Sequence, residues 1–272
     1  PVDYTSATAG ADFKFRNAKN NNYFALGTMI NYDMAGDVNL SLTELNFFLA
    51  YSFQLGEKSS LSPAAGLSLA QRRFEPGNVT SGNQWDGRAF NPSIPAEDFG
   101  EANLFYFDLA AGIHYRWQNA YRRTIDLGVA AYHLAGPTQS FQANSGSSSP
   151  RPERYSAYAL VNLPVSNGMD LLVNAVYTMQ ESYRERVANM QLKFYMGRRQ
   201  SAAFYLGGGY RLDDAWYPMV ALELGSVYGA FSYDFNISDF DEATDGRGGP
   251  EFSLRYIIAK IPRGIDKPCP VY

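Results

Sequence analysis

No run of about 18 apolar residues occurs anywhere in the chain, so it contains no membrane-crossing helix of the usual kind. The single cysteine, Cys269, excludes a disulfide framework. It has no histidine or cysteine partner at motif spacing, which leaves a free or modified thiol. There are only two histidines, His114 and His133, and neither stands at Ser-His-acid or metal-ligand spacing. Positive charge is in deficit: 23 Lys and Arg against 27 Asp and Glu give a net charge of −4, which argues against a nucleic-acid surface. No secretory leader is visible at Pro1, so the chain reads as mature or trimmed. Mean hydropathy is −0.29, a value that looks soluble. A β-barrel gives the same value, because half of every strand faces a polar interior.

Aromatic residues make up 15% of the chain, an excess that interfacial girdles of a membrane barrel explain. Their placement is periodic. From Val227, every second residue is apolar or glycine (Val227, Gly229, Phe231, Tyr233, Phe235, Ile237), and the interleaved set includes Ser232, Asp234 and Asn236. After a polar, Gly-rich stretch, Phe252, Leu254, Tyr256 and Ile258 alternate with Glu251, Ser253 and Arg255. A period of two is the signature of a strand with one apolar and one polar face. Runs of about ten residues match a tilted strand crossing a bilayer, whereas soluble strands average about five or six. The same pattern recurs at Phe13 and Phe15, Phe24 to Tyr32, Leu45 to Phe53, Leu61 to Leu69, Phe105 to Trp117, Ile125 to Ala131, Tyr155 to Leu163, Leu171 to Tyr177, Met190 to Met196, Phe204 to Tyr210 and Trp216 to Leu224.

These segments predict about thirteen strands. The fold class expected is all-β: a transmembrane antiparallel up-and-down β-barrel of about 14 strands, with one N-terminal strand missing from this sequence or residues 1–10 forming a loop after it. Residues 1–260 form the barrel and 261–272 a periplasmic tail. Connections alternate in length. Short turns fall at 17–22, 55–60, 118–123, 164–169, 198–200 and 225–226; longer polar ones fall at 34–41, 75–101, 136–153, 181–187 and 239–249, with 213–214 a brief exception. Short periplasmic turns and long outer loops are the rule for outer-membrane barrels, so the tail lies on the periplasmic side.

The alternation assigns Arg72, Asp108, His114, Arg116, Asp126, Arg211, Glu223, Asp234, Glu251 and Arg255 to the lumen lining, with Lys14, Arg16 and Lys193 beside them. Both signs are present, whereas a selective pore gathers one sign at its constriction. Mixed signs pair across the wall. His114 reads as a hydrogen-bonded wall residue. Many inward positions are small (Ala25, Gly27, Gly66, Gly112, Gly128, Gly207, Gly209), which eases strand curvature or leaves room for a plug. Asp239, Asp241, Asp245 and Gly246 resemble a calcium loop without its closing Glu, and the Asp245–Gly249 stretch lacks the Lys-Ser/Thr of a phosphate loop. No catalytic residue, metal or cofactor is expected. The aromatic and charged residues of the long loops, Trp85, Phe90, Phe99, Phe141, Phe240, Asp241 and Arg247, are the candidate partner contacts.

Three segments carry a family resemblance: GGGYRLDDAWYPMVALELG (207–225), YGAFSYDFNISDF (228–240) and GGPEFSLRYII (248–258). They resemble the C-terminal half of PorP/SprF-type outer-membrane proteins of the type IX secretion system. Asp33, the loop from Trp85 to Phe99, and Cys269–Pro270 at the end, as in the gliding-motility branch, extend the likeness. The resemblance implies a non-enzymatic outer-membrane protein that binds the C-terminal domain of an exported cell-surface adhesin and supports its export or anchoring. The implied partners also include the translocon, periplasmic or peptidoglycan-bound components, and membrane lipid. Two other readings stand beside it: a transport pore for small or apolar solutes, and an outer-membrane hydrolase, for which no nucleophile–His pair is visible.

Overall fold

The structure, a computed structural model, describes residues 4–16, 22–36, 38–78, 80–95, 102–119, 122–141, 150–197, 201–238 and 247–258. Thirteen strands follow one another: β1 (Tyr4–Arg16), β2 (Tyr23–Ala35), β3 (Leu40–Gln54), β4 (Ser59–Arg73), β5 (Asn103–Gln118), β6 (Thr124–Tyr132), β7 (Arg154–Ser166), β8 (Met169–Gln180), β9 (Tyr183–Met196), β10 (Ala202–Arg211), β11 (Ala215–Leu224), β12 (Val227–Asn236) and β13 (Arg247–Tyr256). They form one sheet in sequence order. The described helical residues are two single 3-10 turns, at Pro76–Asn78 and Gly82–Gln84. No described helix is long and apolar enough to cross a membrane, which says nothing against crossing by strands. The all-β, up-and-down arrangement is that of a membrane β-barrel sheet.

The chain divides into two compact units, residues 1–164 with 172–188, and residues 165–171 with 189–272. In the first, neighbouring strands pair so that like faces meet. Phe47 stands opposite Leu67 and Leu67 opposite Leu109, while Asn46, Ser68 and Asp108 align on the other face. In the second, Leu206, Val220, Phe231 and Phe252 form a row across β10 to β13. These rows are exposed: Phe105 is 69% and Leu254 80% accessible. Among the described residues only six apolar side chains are buried, against ten polar ones that include Asn46, Ser52, Asp108, His133 and Asp170. A soluble protein has the reverse distribution, because exposing so many Phe and Leu side chains to water forfeits about 1.5–3 kcal/mol each. The surrounding solvent that makes such a surface favourable is lipid.

Aromatic rings gather toward strand ends, as an interfacial girdle requires. In the first unit, Phe24 lies 4.5 Å from Tyr51, and Tyr51 4.5 Å from Phe53. In the second, Trp216 stacks on Phe235 at 4.6 Å and 13°.

Four expectations are corrected. Residues 4–10 are strand, paired through Tyr4↔Ala35 to Gly10↔Met29, and not loop. The connection predicted at 181–187 shrinks to Glu181–Ser182, with Glu181 in the left-handed region at φ 50°. Residues Tyr183 to Arg186 are exposed on both faces, so they had no apolar partner to alternate with. The loop predicted at 34–41 is four residues, 36–39, and turns at Gly36 (φ 76°) and Asn39 (φ 49°). Arg247 belongs to β13 and pairs with Phe235, so it is not a loop residue. The proposed calcium-like run, the turn at 198–200, Phe99, Phe240, Asp241 and the 261–272 tail with Cys269 lie outside the described residues.

Candidate functional site

The polar faces carry the charged residues, and the structure distributes them in small clusters. In the first unit, the strand register sets Arg116 directly opposite Asp126 and His114 opposite Gly128. Asp126 is 3.0 Å from His114 Nε2 and 3.6 Å from Arg116 Nε. The Tyr158 ring stacks near His114, 6.2 Å between centroids and 23° between planes. Gly128 makes that possible: a Cβ there would lie 2.7 Å from Tyr158 Cζ, closer than real Cβ atoms approach anything. The same device recurs in the second unit, where the Tyr217 ring lies over Gly209. The space above these glycines is therefore filled by rings of the wall itself.

A second cluster stands at the ends of β3, β4 and β5 that adjoin the long loops. Arg151, from the 136–153 connection, donates to Glu44 at 3.3 Å and to the Tyr106 hydroxyl at 3.4 Å. Arg72 donates to Gln139 Oε1 at 3.1 Å, and Gln139 donates onward to Tyr106 at 2.8 Å. Phe141 packs edge-on against buried Phe74 at 4.9 Å and 83°, with the Arg72 guanidinium 5.8 Å from its ring. Both described ends of that connection thus return onto the polar face, and Phe141 is already engaged within the chain. Arg72, Tyr106, Gln139 and Arg151 leave a pocket of about 300 Å³ beside Asp33 and Ser41.

At the root of the same connection, His133 adopts φ 63° and bonds through Nδ1 to Asp108, both side chains being 7% accessible. Its Nε2 is buried with no hydrogen-bond partner among the described residues. Burial holds this imidazole below its ordinary range, Arg151 and Arg154 add to that, and Asp108 opposes it.

The second unit repeats the pattern. Glu223 accepts from Lys193 at 3.1 Å and from the Tyr205 hydroxyl. The Lys193 ammonium also sits 4.8 Å from the Tyr195 ring and 5.0 Å from the Tyr205 ring. Tyr195 donates to fully buried Asp170 at 2.7 Å. Arg211 bridges Asp214 at 2.9 Å and Asp234 at 3.5 Å. Arg255 lies 4.7 Å from the Tyr228 ring. Glu251 stands opposite Ser232 and lines a pocket of about 260 Å³ with Arg211 and Asp234.

Of the loop candidates, Trp85 and Phe90 are exposed and form an antiparallel bridge. The hairpin that carries them is tied internally. Asp86 accepts from the backbone of Arg88 and Ala89, 2.8 Å each, which holds its carboxyl below the usual range. Gln84 is buried and donates to the Ile94 carbonyl at 2.9 Å. The charged residues thus fall into separate clusters, His114 with Arg116 and Asp126, Asp108 with His133, and the Arg211 and Glu223 groups. Glu44, Tyr106, Gln139, Arg151 and Asp170 were not singled out beforehand. Glu44 and Tyr106 follow from strand parity, but Gln139 and Arg151 lie in an aperiodic loop that gives no such signal. No group of three or more His, Cys, Asp or Glu suited to a metal ion occurs among the described residues.

A family model described as type IX secretion system membrane protein PorP/SprF matches residues 2–256. Comparison with curated proteins finds no significant match. With apolar rows facing outward and polar clusters on the opposite face over almost that whole span, the chain belongs to the PorP/SprF family and is an outer-membrane component of the type IX secretion system.

Proposed function

We propose that this chain is a non-enzymatic barrel partner that supports export and surface anchoring of a large adhesin-type substrate, of the kind gliding motility uses. The loops at 75–101 and 136–153 and the connection before β13 face outward and contact the C-terminal domain of that substrate. The tail at 261–272 lies in the periplasm and contacts translocon or peptidoglycan-bound components. The lumen is lined by Arg72, Asp108, His114, Arg116, Asp126, Arg211, Glu223, Asp234, Glu251 and Arg255.

One observation carries this reading over a solute pore: Arg116 with Asp126, Arg151 with Glu44 and Lys193 with Glu223 pair locally on the polar face, and Gln139, Phe141 and Arg151 fold back onto that face. A conducting pathway selects by a ring of one sign, whereas paired walls and an inturned loop suit a barrel that holds a protein partner. The experiment is affinity purification of the tagged chain from its native outer membrane, followed by mass spectrometry. A large surface protein recovered through its C-terminal domain is the expected result. Its absence, together with a sustained open channel from the isolated protein in planar bilayers, overturns the proposal in favour of a transport pore.

A further inference from the structure

At the opposite end of the first unit, where the short turns lie, the strand register brings five strand ends together. Arg16 of β1 stands opposite Tyr23 of β2. Gln54 of β3 stands opposite Ser60 of β4, and Ser60 opposite Arg116 of β5. Alternation puts all of these on the polar face. They enclose, with the Glu57–Ser59 turn and Gln118–Asn119, a pocket of about 550 Å³. That volume lies within the roughly 300–1,000 Å³ typical of ligand sites, and is far more than one carboxylate or phosphate requires.

The lining is unbalanced in charge. Arg16, Lys58 and Arg116 face one carboxylate, Glu57. Arg116 shares Asp126 with His114, while Arg16 and Lys58 have no ion-pair partner among the described residues. This contrasts with the Lys193–Glu223 and Arg211–Asp234 groups, whose charges pair locally. The remaining polar groups are amides and hydroxyls: Gln54, Gln118, Asn119, Ser59 and Ser60. An amide both donates and accepts, which complements a peptide main chain, itself one donor and one acceptor per residue. A phosphate is compact and offers no repeating donor and acceptor, so it leaves most of the spread amide groups unmatched.

We propose that this pocket is a binding site for an acidic peptide segment, whose carboxylates pair with Arg16, Lys58 and Arg116 and whose backbone pairs with the Gln and Asn amides. The inference goes beyond the adhesin reading and does not need that cargo, so either can fail while the other stands. Under the orientation proposed above, the pocket opens to the periplasm.

The test uses the full chain in detergent or lipid nanodiscs, with fluorescence anisotropy of a labelled, end-blocked Gly-Asp-Glu-Asp-Gly peptide at low salt. The expected result is saturable binding, with the Asn/Gln isostere of the peptide at least tenfold weaker. Arg16→Gln and Lys58→Gln each weaken binding about fivefold, and together about twentyfold, as partly exposed charge pairs do. Arg88→Gln, on the distant hairpin, leaves it unchanged. The charge-preserving double variant Arg16→Lys with Lys58→Arg stays within about twofold and guards against misfolding of the neutral pair. Equal binding of the neutral peptide overturns the proposal. So does unchanged affinity in the double Gln variant, or displacement by inorganic phosphate as effective as by unlabelled peptide.

Discussion

Gly207 is the position at which strand packing can be tested most sharply. It lies on the polar face of β10, opposite Met219 of β11, and the backbone of β9 passes close on its other side. A Cβ built on Gly207 meets the Met190 carbonyl oxygen and lies 2.7 Å from Gln191 Cα, inside the 3.0 Å that real Cβ atoms respect. Those neighbours are backbone, so no rotamer change relieves them; β9 has to move. Overpacking of this kind costs about 1–3 kcal/mol. Lengthening one ladder hydrogen bond adds about 1 kcal/mol. Gly207→Ala therefore destabilises by about 3 kcal/mol. Gly249→Ala is the internal control, because among the described residues nothing lies within 4 Å of a Cβ there; it stays within about 0.5 kcal/mol of the parent. Gly128→Ala falls between them, since the obstruction is the Tyr158 ring, which can swing aside at the expense of its stack on His114. The assay is urea unfolding in phospholipid vesicles, followed by tryptophan fluorescence. If Gly207→Ala is no less stable than Gly249→Ala, the close strand approach and the argument from it are wrong.

Three further outcomes are expected. Replacing Phe141 and Arg151 together by Ala frees the inturned ends of the 136–153 connection, and hydrogen exchange at Gln139 and Tyr106 rises at least tenfold; unchanged exchange means the loop is held by something else. His133→Ala leaves the Asp108 carboxylate buried without its partner and costs about 3 kcal/mol. Because the folded imidazole titrates below the unfolded one, the folded state binds fewer protons; stability is flat above about pH 6.5 and falls as pH drops below it, which pH-dependent unfolding of parent and variant checks. Asp86→Ala removes two backbone acceptor contacts from the Trp85–Phe90 hairpin and speeds its limited proteolysis. The lowered Asp86 carboxyl gives the parent the same sensitivity only as pH falls through the carboxylate range, so cleavage that is equal for parent and variant at pH 7 refutes the tie.

Much of the wall was legible because a strand between lipid and polar interior must obey a period of two. Leu206, Val220, Phe231 and Phe252 advertise their face before any register is known. The pattern failed where that constraint lapses: Tyr183 to Arg186 extend β9 with both faces exposed, and residues 4–10 pair in β1 without a regular apolar row. The glycines at 128 and 209 stood out as small inward positions, but whether the space was empty depended on rings of the next strand, Tyr158 and Tyr217, which only the register sets opposite them.

What the sequence determined by itself was the class of solvent and the topology, since burial pattern and turn spacing are local properties written residue by residue. What only the tertiary structure decided was which charges find each other. Glu44 meets Arg151 across 107 positions of sequence, and Arg16, Lys58 and Arg116 share one pocket because the strand register aligns their ends. Such encounters are fixed by backbone pairing between strands, and no periodicity within a single segment encodes them.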